Sequence, residues 1–197
     1  MILTRYARLW KGINRFGKAL DGAVKSLGPL VAALWIAWQY EQSQADKRVE
    51  ATLGYVTHYE DATGSVGKAQ RALTASFWNH ADEIGELRTT RAAAEQIAKV
   101  QRMIVMRIIV SAAPASSATL GTGPFEEVEG FYNALATCVQ GNVCDEGAAL
   151  RYFGCTAIDF VGNFEAAMLA RQRLASRFGW GVRWIADQGR VKEACAP

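Results

Sequence analysis

Residues 26–40 read SLGPLVAALWIAWQY, a stretch without a charge in a chain of 197 residues. Its purely apolar part is shorter than the ~20 residues a spanning helix needs. Counted on to Gln44, with Trp35, Trp38 and Tyr40 as interfacial aromatics, it becomes long enough, and it predicts one transmembrane helix over residues 26–44. Gly28 and Pro29 are expected to separate this helix from what precedes it, since proline is tolerated in a first helical turn. Two other readings compete. A secretory signal peptide would have a core of this length, with Ser43-Gln44-Ala45 as a small-x-small cleavage site, but the basic segment before it is unusually long and itself amphipathic. The other is a buried helical hairpin in a soluble protein.

Upstream, residues 1–25 predict a basic amphipathic helix. Ile2, Leu3, Tyr6, Leu9, Trp10, Ile13, Phe16, Leu20 and Val24 recur at three- and four-residue steps, and Arg5, Arg8, Lys11, Arg15 and Lys18 follow the same spacing on the other side. With Trp10 on the apolar face, this is the pattern of a helix lying on an anionic membrane surface. The whole chain carries a net charge of +3. Residues 1–40 hold six bases and one acid, so the remainder is slightly acidic. The basicity belongs to one terminal segment, which argues against nucleic-acid binding. By the positive-inside rule the bases place the N-terminus in the cytoplasm and the body, for a bacterial source, in the periplasm.

Downstream, residues 45–197 read as helix throughout. Half of all residues in the chain are apolar and 21% are charged, which excludes intrinsic disorder over most of its length. Residues 41–61 continue as a charged helix with Val49, Leu53, Val56 and Tyr59 on one side. A second helix is expected from Val66 to about Glu86, with Ala72, Leu73, Phe77, Ile84 and Leu87 as core. A third, from Thr90 to Ser111, ends in the apolar run 103–110 and reads as a central, nearly surrounded helix. Residues 112–123 form a small, polar loop. Pro124 opens a fourth helix ending at Gln140, where Gly141-Asn142 breaks it. A fifth begins at Asp145-Glu146 and reaches about Arg177, with possible jogs at Gly154 and Gly162, and a short last helix covers residues 182–193. The expected fold is all-α: an interfacial helix, one transmembrane helix, then a bundle of four or five helices.

Cys138 and Cys144 flank a turn, and Cys155 and Cys195 remain. An even count outside the cytoplasm suggests disulfides: the local pair would staple the turn and the other would tether the tail, one of three possible connectivities. Free thiols in a cytoplasmic domain are the alternative. The spacings match no zinc or haem template. His58 and His80 are far apart in sequence, and His80-Ala81-Asp82-Glu83 reads as a solvated helix surface. No serine-hydrolase elbow, phosphate loop, dinucleotide fingerprint or HExxH motif is present. The reading is therefore of a non-enzyme with no metal and no cofactor.

The run Phe125-Glu126-Glu127-Val128-Glu129-Gly130-Phe131-Tyr132-Asn133-Ala134-Leu135-Ala136, then Val139-Gln140-Gly141, Asp145-Glu146 and Tyr152-Phe153-Gly154, resembles an uncharacterised bacterial family, a domain of unknown function. Residues 38–61 (WQYEQSQADKRVEATLGYVTHYED) resemble that family's helix emerging from the membrane. The resemblance implies one N-terminal span followed by helices, and no catalytic residue. This chain departs from the pattern by its additional basic head and by fewer bases just after the span, which leaves a cytoplasmic body as an alternative.

Two functions are expected from this architecture. The first is an accessory or structural subunit of a larger inner-membrane complex, respiratory or photosynthetic, meeting the lipid bilayer and other subunits through Leu34, Trp35 and Trp38 and through Arg5, Arg8, Trp10, Lys11, Arg15 and Lys18. The second is a membrane-tethered sensor or regulator whose bundle holds a ligand or partner beside the run 103–110.

Overall fold

The computed structural model describes the backbone of residues 3–89, 94–112 and 123–195, and the side chains of residues 30–86, 96–97, 99–112 and 123–195. Among the described residues all regular secondary structure is helix: α1 (Leu3–Glu60), α2 (Ser65–Asn79), α3 (Ala81–Thr89), α4 (Ala94–Ala112), α5 (Pro124–Gln140), α6 (Glu146–Gln172) and α7 (Trp180–Val191). Two compact units divide the chain, Met1–Asp46 and Lys47–Pro197.

The first unit is the N-terminal part of α1. The expected break at Gly28-Pro29 is absent, and the helix runs through it. A proline deletes one intrahelical hydrogen bond, which kinks or weakens a helix without necessarily ending it. From Leu30 to Ser43 every residue is exposed.

In the second unit the last turns of α1 bury part of the face hydropathy suggests, with Val56 and Tyr59 packed as expected and the rest of the contact shifted. Val49 and Leu53 are exposed, whereas Ala51, Tyr55, Val56 and Tyr59 pack on the core and Thr52 is fully buried. Thr52 is satisfied where it is buried. Its hydroxyl donates to the Arg48 carbonyl (2.9 Å) and accepts from the Asp145 amide (2.9 Å). Asp145 in turn caps α6, its carboxylate accepting from the Ala148 amide (2.7 Å).

The single helix expected over 66–86 is two, α2 and α3, parted at His80, whose backbone leaves helical geometry (φ −113°, ψ 12°) while its Nδ1 lies 2.8 Å from the Ser76 carbonyl. This split gives the body more helices than the four or five expected. On α2 the buried positions are Val66, Gly67, Ala69, Leu73 and Ser76. The Ser76 hydroxyl donates to the Ile108 carbonyl (2.9 Å), fastening α2 to α4. α4 is one-sided rather than surrounded: Ile104, Val105, Ile108 and Ile109 are buried, but Met103, Met106 and Val110 face outward.

α5 keeps its expected limits, set by Pro124 at the start and Gly141 at the end. It is the core helix, burying Phe125, Val128, Phe131, Tyr132 and Leu135. Phe131 meets Tyr55, Tyr59 and Phe153, and Phe125 meets Phe160, Phe164 and Phe178, with ring centroids 5.1–5.8 Å apart. Such edge, tilted and stacked pairs add about 0.5–1.5 kcal/mol each beyond burial.

α6 ends at Gln172, short of Arg177, and continues as helix through Gly154 and Gly162. Gly154 is there for close approach: a Cβ on it would lie 2.8 Å from Ala194 Cβ, and one on Gly189 would lie 3.1 Å from Gly154 Cα, so α6 and α7 cross almost backbone to backbone. α7 has no side-chain cap of its own and starts from Gly179 in the left-handed region (φ 73°). Its first amides are satisfied from α5. The buried Glu129 carboxylate accepts from Gly179 N–H (2.6 Å), the Asn133 side-chain carbonyl accepts from Gly181 N–H (2.9 Å), and the Asn133 amide donates back to Glu129. A buried carboxylate at a helix N-terminus is also favoured by the helix dipole.

Candidate functional site

Three places carry the chemistry this chain offers: the exposed apolar run of α1, the two disulfides, and the space between α2 and α6.

On α1, Leu34, Trp35 and Trp38 are 70%, 58% and 51% exposed, and the two indole rings lie 5.1 Å apart. Leu30, Val31, Ile36 and Tyr40 are exposed as well, so the run is apolar all round. Among the described residues no helix is long and apolar enough to cross a membrane. The expected span over 26–44 therefore lacks support within its described side chains, residues 30–44. The physical reason is that Gln39, Glu41, Gln42 and Ser43 close the run on its C-terminal side. The side chains of residues 26–29 lie outside the described residues, as do those of Arg5, Arg8, Trp10, Lys11, Arg15 and Lys18, whose backbone belongs to α1.

The cysteines form two pairs, Cys138–Cys144 (Cα–Cα 5.2 Å) and Cys155–Cys195 (5.3 Å). The first closes the turn between α5 and α6, where Val143 and Cys144 N–H both donate to the Cys138 carbonyl. The second ties the tail to α6 beside the Gly154–Gly189 crossing. His58 sits on α1 near the Phe131 ring and His80 at the α2–α3 junction, so the fold does not bring the two histidines into one cluster. Among the described residues no group of three or more His, Cys, Asp or Glu is placed to hold a metal ion.

Between α2 and α6 the packing is open. α2 packs mainly on α5 and α4, and α6 mainly on α7. The gap forms a cavity of about 280 Å³, bottomed by the buried Tyr132, Phe160 and Phe164 and walled by Phe77 and Trp78, with Asp159 at its rim. A second cavity, of about 220 Å³, lies beside it between Ile84, Ile104, Val105 and Gly162, and the two share Phe77 and Asn163. This places part of the run 103–110 on a cavity wall.

The Tyr132 hydroxyl donates to Thr156 (2.9 Å), which donates to the Phe153 carbonyl (3.0 Å). Burial pushes Tyr132 well above the usual tyrosine value, with the neighbouring Tyr59 and the charge of Asp159 adding to it. Tyr59 is raised too, again mainly by burial. Sequence reading missed this cavity because its members come from three helices. The one local signal is Trp78, 69% exposed at the end of α2.

Comparison with protein-family models, with curated proteins and with solved structures finds no match to this chain.

Proposed function

We propose that this protein is a non-enzymatic accessory or structural subunit of a larger inner-membrane assembly, respiratory or photosynthetic, seated by α1 and carrying its helical body outside the bilayer. The observation behind this reading is the apolar run Leu30–Tyr40, exposed on every side. Contiguous apolar surface of this kind marks a contact with lipid or protein. The run is about 16 Å long at 1.5 Å per residue, roughly half of a ~30 Å hydrocarbon core. A helix covered partly by lipid and partly by neighbouring subunits accommodates that length better than one alone in lipid. The basic residues Arg5, Arg8, Lys11, Arg15 and Lys18 suit the cytoplasmic leaflet, and the two disulfides suit an oxidising compartment such as the periplasm.

The test is alkaline carbonate extraction of native membranes holding the full chain or its Leu34→Glu/Ile36→Glu variant. The wild-type chain is expected in the pellet and the variant in the supernatant. Release of the wild-type chain would overturn the anchoring.

A second reading, a membrane-tethered sensor or regulator, is favoured by one observation, the cavity between α2, α5 and α6.

A further inference from the structure

We propose that the cavity between α2, α5 and α6 binds a small organic ammonium cation, a substituted amine or quaternary ammonium group. The inference rests on the second reading above and is independent of how α1 is seated. Five aromatic side chains line the cavity: Tyr132, Phe160 and Phe164 as its floor, Phe77 and Trp78 as a wall. Aromatic faces attract cations, and an ammonium group shielded from water among several of them gains most. Among the described residues of the lining Asp159 is the one that carries a charge, and none of them is Lys, Arg or His. An anion would meet that carboxylate unfavourably, and a purely apolar ligand would leave it unused. The volume, about 280 Å³, lies at the small end of ligand pockets, which suits a compact cation.

The pocket exists because α2 and α6 each pack chiefly on other helices. Its floor is made of buried core residues. Trp78, exposed at the end of α2, is accounted for as part of the aromatic wall. The same ammonium chemistry is offered by a free amine or by a lipid headgroup.

Isothermal titration calorimetry of the full chain in a maltoside detergent, with choline and its uncharged carbon isostere dimethylbutanol, tests the proposal. Choline is expected to bind at least about tenfold more tightly than the isostere. Asp159→Asn should weaken that preference, while Asp187→Asn, which removes another exposed acid, on α7, should keep it. Short-chain phosphatidylcholine below its micelle concentration separates the sources: tighter binding than choline assigns a headgroup, weaker binding a free amine. Equal binding of choline and isostere would overturn the ammonium assignment and leave the sensor reading standing. Absence of binding by either would overturn both.

Discussion

The hydroxyl of Thr52 accepts a hydrogen bond from the backbone amide of Asp145 at 2.9 Å, joining the last turns of α1 to the N-cap of α6 across 93 positions of sequence. Thr52→Val keeps the shape and removes the acceptor. The Asp145 amide retains only its longer bond to the Arg48 carbonyl (3.2 Å), so the variant is expected to lose about 1 kcal/mol of stability. Thr52→Ser should restore most of it. Urea unfolding of the full chain in detergent reads the difference, and a neutral Thr52→Val would contradict the role given to this contact.

Glu129 and Asn133 cap a helix that lacks its own cap. Glu129→Ala strands the Gly179 amide and is expected to cost about 1–3 kcal/mol, whereas Glu129→Gln keeps an acceptor and should cost less. Hydrogen exchange at residues 179–183 should quicken in the alanine variant and stay slower in the glutamine variant.

Two glycines separate close approach from mere flexibility. A Cβ at Gly181 would sit 2.5 Å from Asn133 Cα and 2.7 Å from the Tyr132 carbonyl, both backbone atoms, while one at Gly130 meets nothing within 4 Å. Gly181→Ala is therefore expected to destabilise by about 2–3 kcal/mol, and Gly130→Ala to stabilise by about 0.5–1 kcal/mol through helix propensity. Thermal melts of the two variants should move in opposite directions.

The disulfides differ in the length of chain they close, with sequence separations of 6 and 40. On loop-closure entropy the Cys155–Cys195 bond stabilises by about 4 kcal/mol and the Cys138–Cys144 bond by about 2 kcal/mol. Paired serine variants, unfolded in urea, should show that order.

Tyr132 and Tyr59 are raised above 10.0 by burial, so the native state holds their protons more tightly than the unfolded chain. Their contribution is complete below pH 10 and is lost as pH climbs through 10 toward the folded values. Tyr132→Phe should flatten the fall in stability above pH 10, measured by urea midpoints from pH 8 to pH 11.

Much of the body was legible because its signals are local. Pro124 and Gly141 mark both ends of α5, and the spacing of Cys138 and Cys144 around a turn marks their pairing. What was not legible depends on distant partners. Val49 and Leu53 look like core until Thr52 is seen to be satisfied by Asp145, and Glu129 looks solvated until Gly179 is folded over it. The break at His80 and the continuity through Gly28-Pro29 run against local punctuation in opposite senses. The aromatic cavity draws on α2, α5 and α6, and no single stretch announces it.

The central claim is that α1 seats the chain among other subunits of a membrane assembly. Gentle solubilisation from the native membrane, followed by native mass measurement, tests it most directly. The account predicts that the 21.5 kDa chain migrates within a larger assembly and that the Leu34→Glu/Ile36→Glu variant leaves it. A wild-type chain that emerges only as a monomer would contradict it.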